Sequence, residues 1–324
     1  MSDEARSVTG VILAAGYGER MLPLTAKIPK VLLPVLGTPL LEILVGKLLR
    51  HGAGEIHCNL FSLHERIERF AGDREWPLRL HRERELLGTG GGIGNMADDL
   101  ARASAVLLHN GDVLSNIPYE PAIALHDERR ALVTLVLVPS GPAANVAVND
   151  RDEVAAIGPG SAKSARGARL LGYTGMAVLS PEALSFFPRG KKAALVPILN
   201  EMIRTRPGSV LGWNAAADVA SWVWGEAGSP AGYLALHRAI LVERARFDPA
   251  IEVPPFPFHA GEGAAVDPGA RWTGFCEIGR RAVVERDALL ESCVVLDDTV
   301  VARGSVHSNE ILFPGGALGA SNGG

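Results

Sequence analysis

Residues 13–35 read LAAGYGERMLPLTAKIPKVLLPV, and their types suit one task, the holding of phosphate. Gly16 and Gly18 allow a close backbone approach to a ligand. Pro23, Pro29 and Pro34 stiffen the segment, while Arg20, Lys27 and Lys30 load it with positive charge against the single acid Glu19. The apolar run Val11 to Ala15 reads as a buried strand entering this loop. A stiff, glycine-containing, cationic loop at the carboxyl end of a strand is where an open α/β sheet binds phosphate. Two familiar phosphate loops are excluded. GxxxxGK[ST] is absent, and Met21 stands where the dinucleotide fingerprint needs its third glycine. A second chemical position is Asp112, after the apolar run Ala105 to His109 and the pair Asn110-Gly111. On its own it reads as an Asp that opens a turn.

The elements that must position these residues follow an α/β pattern with a largely parallel sheet over the first 245 residues. Thr38-Pro39 is expected to cap a helix with Leu41, Leu44, Val45, Leu48 and Leu49 on its apolar face, stopped by Gly52. A strand is expected over Glu55 to Leu60. Ser62 with Glu65 reads as a capping box before a helix carrying Leu63, Ile67 and Phe70. Ala131 to Val138 reads as a further strand, and the Gly-, Ala- and Ser-rich region 140–170 as hairpins and loops. Ser180-Pro181 and Ser229-Pro230 read as N-cap and first-turn pairs, the second opening a helix to about Arg246.

The tail differs in kind. Four prolines between Pro249 and Pro257 predict a stiff linker. Beyond it Val266, Trp272, Ile278, Val284 and Leu290 stand six apart. After a slip of one, Val295, Val301, His307 and Phe313 continue the spacing. This period predicts a short left-handed β-helix of hexapeptide repeats, too short to stand free and so packed on the main domain or a second subunit. The expected domains are 1–248 (catalytic), 249–262 (linker) and 263–324 (β-helix).

Among 324 residues 47% are hydrophobic and 21% charged, with a net charge of −4, so a globular protein without general affinity for nucleic acid or anionic membrane is expected. No run approaches 18 apolar residues, and the opening MSDEARSVTG lacks the character of a secretory signal. Three scattered cysteines fit a reducing, cytoplasmic setting. The nine histidines show no HxxxH spacing, so no structural zinc is expected.

The loop segment closely resembles the sugar nucleotidyltransferase signature LAAGxGxRxxPxTxxxPKxLxPV. LLGTGGGI (86–93), NGDVL (110–114), GYTGMAVLSPE (172–182), WGEAGSP (224–230) and the six-residue period extend the resemblance over almost the whole chain. It lies nearest the mannose-1-phosphate guanylyltransferase-like branch. It implies a Rossmann-like three-layer nucleotidyltransferase domain and transfer of a nucleotidyl group from a nucleoside triphosphate to a sugar-1-phosphate. It also implies Arg20 and Lys30 on the reacting phosphates and Mg2+ on Asp112 and Glu226. Leu13, Ala14, Ala15, Gly16, Gly18, Glu85, Gly88, Thr89 and Gly90 are implied at the nucleotide, with the 88–92 backbone flat against its base or serving as a glycine hinge before a helix near Ile93. Gly175 is implied at the sugar phosphate, and Lys163 is the candidate substitute there for a family lysine that this sequence lacks. Lys27 fills a variable position and is expected to be solvated.

Two departures from the pattern stand out. Glu226 replaces an aspartate, and no EKP-like segment is present, the corresponding region reading AAIGPGSAKSARGARLLGYTG. These departures are what support an alternative, a non-catalytic regulatory paralogue that binds nucleotide sugar. A hexapeptide acyltransferase using His307 as base is a further one. GTP with mannose-1-phosphate is the leading pair on overall resemblance, UTP or dTTP with glucose-1-phosphate or an amino-sugar phosphate the alternative. The β-helix tail implies a homo-oligomer.

Overall fold

A computed structural model describes residues 7–139, 144–159 and 167–320. Its centre is the strand Val8–Leu13, buried on both faces as a parallel strand covered by helices must be. The strands Ala53–Leu60 and Ala105–Asn110 flank it in parallel, and Leu78–Arg82 continues the sheet beyond the first of these. Beyond Ala105–Asn110 the long strand Arg169–Leu179 runs antiparallel. It pairs in turn with Val133–Val138 and with a hairpin of Ala144–Val148 and Val154–Ile157, and Val210–Asn214 closes the far edge. The sheet is therefore mixed, with its parallel part around the signature loop.

Strand order fixes where a ligand can bind. The chain builds outward from Val8–Leu13 to Ala53–Leu60 and Leu78–Arg82, then returns to place Ala105–Asn110 on the other side. The crevice at the carboxyl ends beside such a reversal is the natural ligand site of an open α/β sheet. Leu13 pairs with Asn59 on one side and Asn110 on the other, so all three strands end at one level.

Two cores cover the two faces. One gathers Ile12, the helix Leu40–Arg50 and the helix Pro230–Leu241; the other gathers Val11, the helix Gly88–Leu100 and the helix Leu195–Thr205. Ser180 and Ser229 accept the capping bonds expected of them, from the amides of Ala183 and Gly232. The second helix stops at Leu241, short of Arg246, and Arg244 adopts a left-handed backbone (φ 64°). The Ser62–Glu65 capping box does not form. Leu63, at φ 52°, occupies the N-cap of helix His64–Gly72, which leaves Ser62 too far ahead to reach the first turn. Thr38 likewise gives no cap: it pairs in the short strand Thr38–Pro39, and Pro39 is the N-cap residue.

In the tail, parallel strands stack as coils: Phe258–Ala260, Arg271–Ile278, Leu289–Val295 and Glu310–Phe313 on one side. Ala265 pairs with Val283 and Val283 with Val300, coils of 18 and then 17 residues, which is the physical origin of the slip in the six-residue period. Ile278, Val284, Leu290, Val295, Val301 and Phe313 are buried. Val266 and Trp272, in the first coil, are not enclosed, and Trp272 stacks on Phe258. The first rung begins at Phe258, inside the expected linker and directly after the last of its prolines, and Ile251 of the proline-rich stretch is buried in the main core. This β-helix rests on helix Pro230–Leu241, where His237 meets Glu277, and Glu277 Oε1 accepts from the Gly37 amide at 3.2 Å. Lys27 is not simply solvated. Its ammonium donates to Pro314 O at 2.8 Å and lies 5.6 Å from the centre of the Phe313 ring, fastening the signature loop to the last coil.

Candidate active site

The loop after Val8–Leu13 is held from below. Asn59, buried at the end of its strand, accepts from the backbone amides of Ala14 (2.8 Å) and Ala15 (3.3 Å) through Oδ1. Its Nδ2 donates to Glu83 Oε1 at 2.8 Å, and Glu83 Oε2 accepts from the Leu87 amide at 2.8 Å. One buried amide and one buried carboxylate thus tie the signature loop to the start of the glycine-rich helix. Gly18 takes a left-handed turn (φ 66°), and its carbonyl accepts from Thr25 Oγ1 at 2.8 Å.

Asp112 follows Ala105–Asn110 directly, and a Cβ on Gly111 would fall 2.8 Å from Leu13 O, so only glycine lets the two strand ends approach this closely. The short strand Val113–Ser115 pairs antiparallel with Trp224–Glu226, and Ala227 N–H donates to Asp112 O at 2.7 Å. This pairing carries Glu226 to the side of Asp112 across more than a hundred residues. Lys30 Nζ lies 3.0 Å from Asp112 Oδ2, and Arg20 Nη2 lies 2.7 Å from Glu226 Oε1. Atoms of Glu226, Arg20 and Asp112 all come within 3.0 Å of the point where Gly228 would carry a Cβ. Two carboxylates converging there form an oxygen donor set that fits a hard divalent cation.

Behind Asp112 lie two buried titratable groups, His109 and Lys47. Burial, with a smaller push from the Lys47 charge, lowers His109 to about 3, so it stays neutral, and its Nδ1 lies 2.8 Å from Asn110 O. Lys47, itself lowered to about 8 by burial, donates to Ser115 O and Ile117 O, both at 2.8 Å, and so props up the strand that follows Asp112.

Two clefts meet at this point. The first is lined by Leu13, Ala14, Ala15, Gly16, Lys30, Asn59, Gly88 and Thr89; the second by Arg20, Asn145, Tyr173, Gly175, Trp224 and Glu226. Asn110 and Asp112 belong to both. The second cleft also has apolar walls, Leu135, Val146, Ile157, Leu195, Val196 and Leu199, and the buried Tyr173 hydroxyl has no hydrogen-bond partner among the described residues. A larger groove between Lys47, Arg50 and residues 246–253 contains none of these groups. The three cysteines are buried, and burial pushes their thiols up, Cys58 to about 12, so none serves as a nucleophile.

Residues 9–155 match the nucleotidyl transferase family model. Mannose-1-phosphate guanylyltransferase of Mycobacterium tuberculosis is 29% identical over 311 residues, 92% of this chain and 82% of that protein. N-acetylmuramate alpha-1-phosphate uridylyltransferase of Neisseria meningitidis serogroup B is 32% identical over 203 residues, 60% of this chain and 84% of that protein. The chain belongs to the nucleotidyl transferase family. The crystal structure of HddC from Yersinia pseudotuberculosis shares the fold, with a TM-score of 0.54 at 21% identity over 70% of this chain and 97% of that one.

In this nucleotidyl transferase the expected site residues are gathered unevenly. Arg20, Lys30, Asp112, Glu226, Gly175 and the loop residues Leu13 to Gly16 line the two clefts. Gly88 and Thr89 join them, but the helix begins at Gly88 rather than near Ile93, and Gly90 faces away. A Cβ on Gly90, Gly91 or Gly94 would strike the backbone between Phe187 and Ala194. These glycines serve close packing on that segment within the helix rather than as a hinge before it, and the part of the stretch that faces the first cleft is Gly88 and Thr89. Glu85 is exposed and lines neither cleft; the organising carboxylate is Glu83, two residues earlier. Lys163 lies outside the described residues. Asn59, Glu83, Asn110 and Tyr173 escaped sequence reasoning. A polar residue ending each of two apolar runs, Asn59 and Asn110, was the available signal.

Proposed function

We propose that the protein transfers a nucleotidyl group from a nucleoside triphosphate to a sugar-1-phosphate and releases pyrophosphate. The observation that carries this reading is the junction of two clefts at Asp112, with Lys30 on one side and Arg20 on the other. A donor in the first cleft and an acceptor in the second would meet head to head. A sugar-phosphate oxygen then attacks the α-phosphorus in line as the bond to the leaving pyrophosphate breaks, without a covalent enzyme intermediate. Such a reaction asks the protein for positioning and charge neutralisation. Lys30 and Arg20 supply positive charge, and the Asn59-anchored amides fix the loop against the nucleotide. Asp112 and Glu226 would hold Mg2+, which neutralises phosphate charge when bound.

For the substrates we favour GTP with mannose-1-phosphate, supported by the length of the match to the mycobacterial guanylyltransferase. UTP with an amino-sugar phosphate is the second reading, supported by the apolar walls of the acceptor cleft and the uridylyltransferase relative. Pyrophosphate release with Mg2+, over a grid of nucleoside triphosphates and sugar-1-phosphates, tests both. One pair should stand clear of the rest and lose about 10²–10³ in rate in Asp112→Ala. A blank grid from folded protein that still binds nucleotide sugar would replace this proposal with a regulatory role.

A further inference from the structure

Three polar rungs cross from strand Ala53–Leu60 to its edge neighbour Leu78–Arg82. The outer rung is the ion pair Glu55–Arg79, and the inner rung is the Asn59–Glu83 bond beneath the signature loop. Between them His57 Nδ1 and His81 Nε2 lie 2.8 Å apart, with ring planes at 21° and centroids at 5.0 Å, so the imidazoles meet edge to edge. His57 is fully buried, and its Nε2 makes no hydrogen bond among the described residues, although Glu55 Oε2 stands 3.4 Å away. Asp99, exposed on helix Gly88–Leu100, completes the group. One donor atom from each of His57, His81 and Asp99 lies within 4.8 Å of the others. A solvent cleft lined by Glu55, Arg79, Asp99 and Arg102 opens on the Asp99 side of the cluster, without exposing either imidazole.

We propose that His57, His81 and Asp99 bind a borderline transition-metal ion, Zn2+ in the first instance, at a site separate from Asp112 and Glu226. Two imidazole nitrogens and one carboxylate form a donor set for such an ion, whereas Mg2+ prefers oxygen throughout. Proton positions allow it without net release. His57 keeps its proton on Nε2, facing Glu55, and His81 moves its proton to Nδ1. His57 Nδ1 and His81 Nε2 then both present lone pairs, with Glu55 as the outer carboxylate that orients the first imidazole. The two nitrogens have to part from 2.8 Å to about 3.3 Å, the separation of ligands at about 2.0–2.1 Å on a tetrahedral ion. Water takes the fourth position. The occupied site clamps the two strands one rung from Asn59 and so stiffens the support of the signature loop. The 24-residue separation of the two histidines, on adjacent strands, hides the pair from any spacing rule.

The test uses the full chain stripped of metal by chelation, titrated with Zn2+ by calorimetry in excess Mg2+, and with Co2+ by visible absorption. One equivalent of Zn2+ should bind, with cobalt bands of a four-coordinate site, unchanged in Asp112→Asn. Affinity should weaken roughly tenfold or more in Asp99→Asn and His81→Gln. Asp99 is exposed, so its variant leaves folding intact, and circular dichroism checks the other. Absence of binding, displacement by Mg2+, loss in Asp112→Asn, or full retention in both Asp99→Asn and His81→Gln would each overturn the proposal.

Discussion

Replacing Gly228 by alanine adds one methyl group and no charge, yet the geometry makes it a severe test of the active site. The added carbon would lie under 3.0 Å from Glu226 Oε1, Arg20 Nη2 and Asp112 Oδ2 at once. Real Cβ atoms do not approach that closely, so Glu226 Oε1 must retreat by about 0.7 Å, and the other two by smaller amounts. All three are ends of flexible side chains, and Gly228 is not among the residues with positive φ, so the backbone can accept alanine. The cost therefore falls on alignment rather than on folding. A misplacement near 1 Å costs about 10²-fold in rate, so Gly228→Ala should lower kcat by about 30- to 100-fold. Stability should change by no more than about 1 kcal/mol, since Arg20 is exposed and Glu226 only partly buried. Pyrophosphate release under saturating substrates gives the first number and urea unfolding the second. A kcat within threefold of the parent would refute the placement of catalysis at this trio. So would a rate loss that merely tracks a collapse in stability.

Two further perturbations probe the supports of the site. In Asn59→Leu the amides of Ala14 and Ala15 lose their acceptor and buried Glu83 loses a donor. A stability loss of about 2–4 kcal/mol is expected, together with a nucleotide KM that rises more than kcat falls; an unchanged KM would detach Asn59 from the loop's function. Lys47, lowered by burial to about 8 from 10.5, binds its proton more weakly folded than unfolded. Its unfavourable contribution is therefore full below pH 8 and is relieved as pH climbs from about 8 to 10.5. There the unfolded chain holds a proton that the folded one has lost, and stability gains up to about 1.4 kcal/mol per pH unit. Lys47→Met should flatten that rise in urea unfolding measured from pH 7 to 10, and an identical slope in both proteins would sink the assignment.

The sequence by itself determined what contiguous residues can encode. The signature loop, the strand ahead of it, the N-caps at Ser180 and Ser229, and the coiled tail all follow from local types and spacing. Even the one-residue slip in the tail's period marks a real 17-residue coil. Tertiary structure decided which of those residues meet. Leu13 opposite Asn59 and Asn110 sets three strand ends level, and only that register makes Asn59 an anchor and Asp112 the shared wall of two clefts. Arg20 and Glu226 stand 206 residues apart, and a two-strand pairing brings them to hydrogen-bond distance. The glycines at 90–94 illustrate the limit from the other side. Their small size is plain in the sequence, but whether it admits a base or a neighbouring backbone depends on where residues 187–194 pass. Local propensity is a property of each segment's own covalent geometry, whereas convergence depends on burying faces of distant segments against one another, which no single segment records.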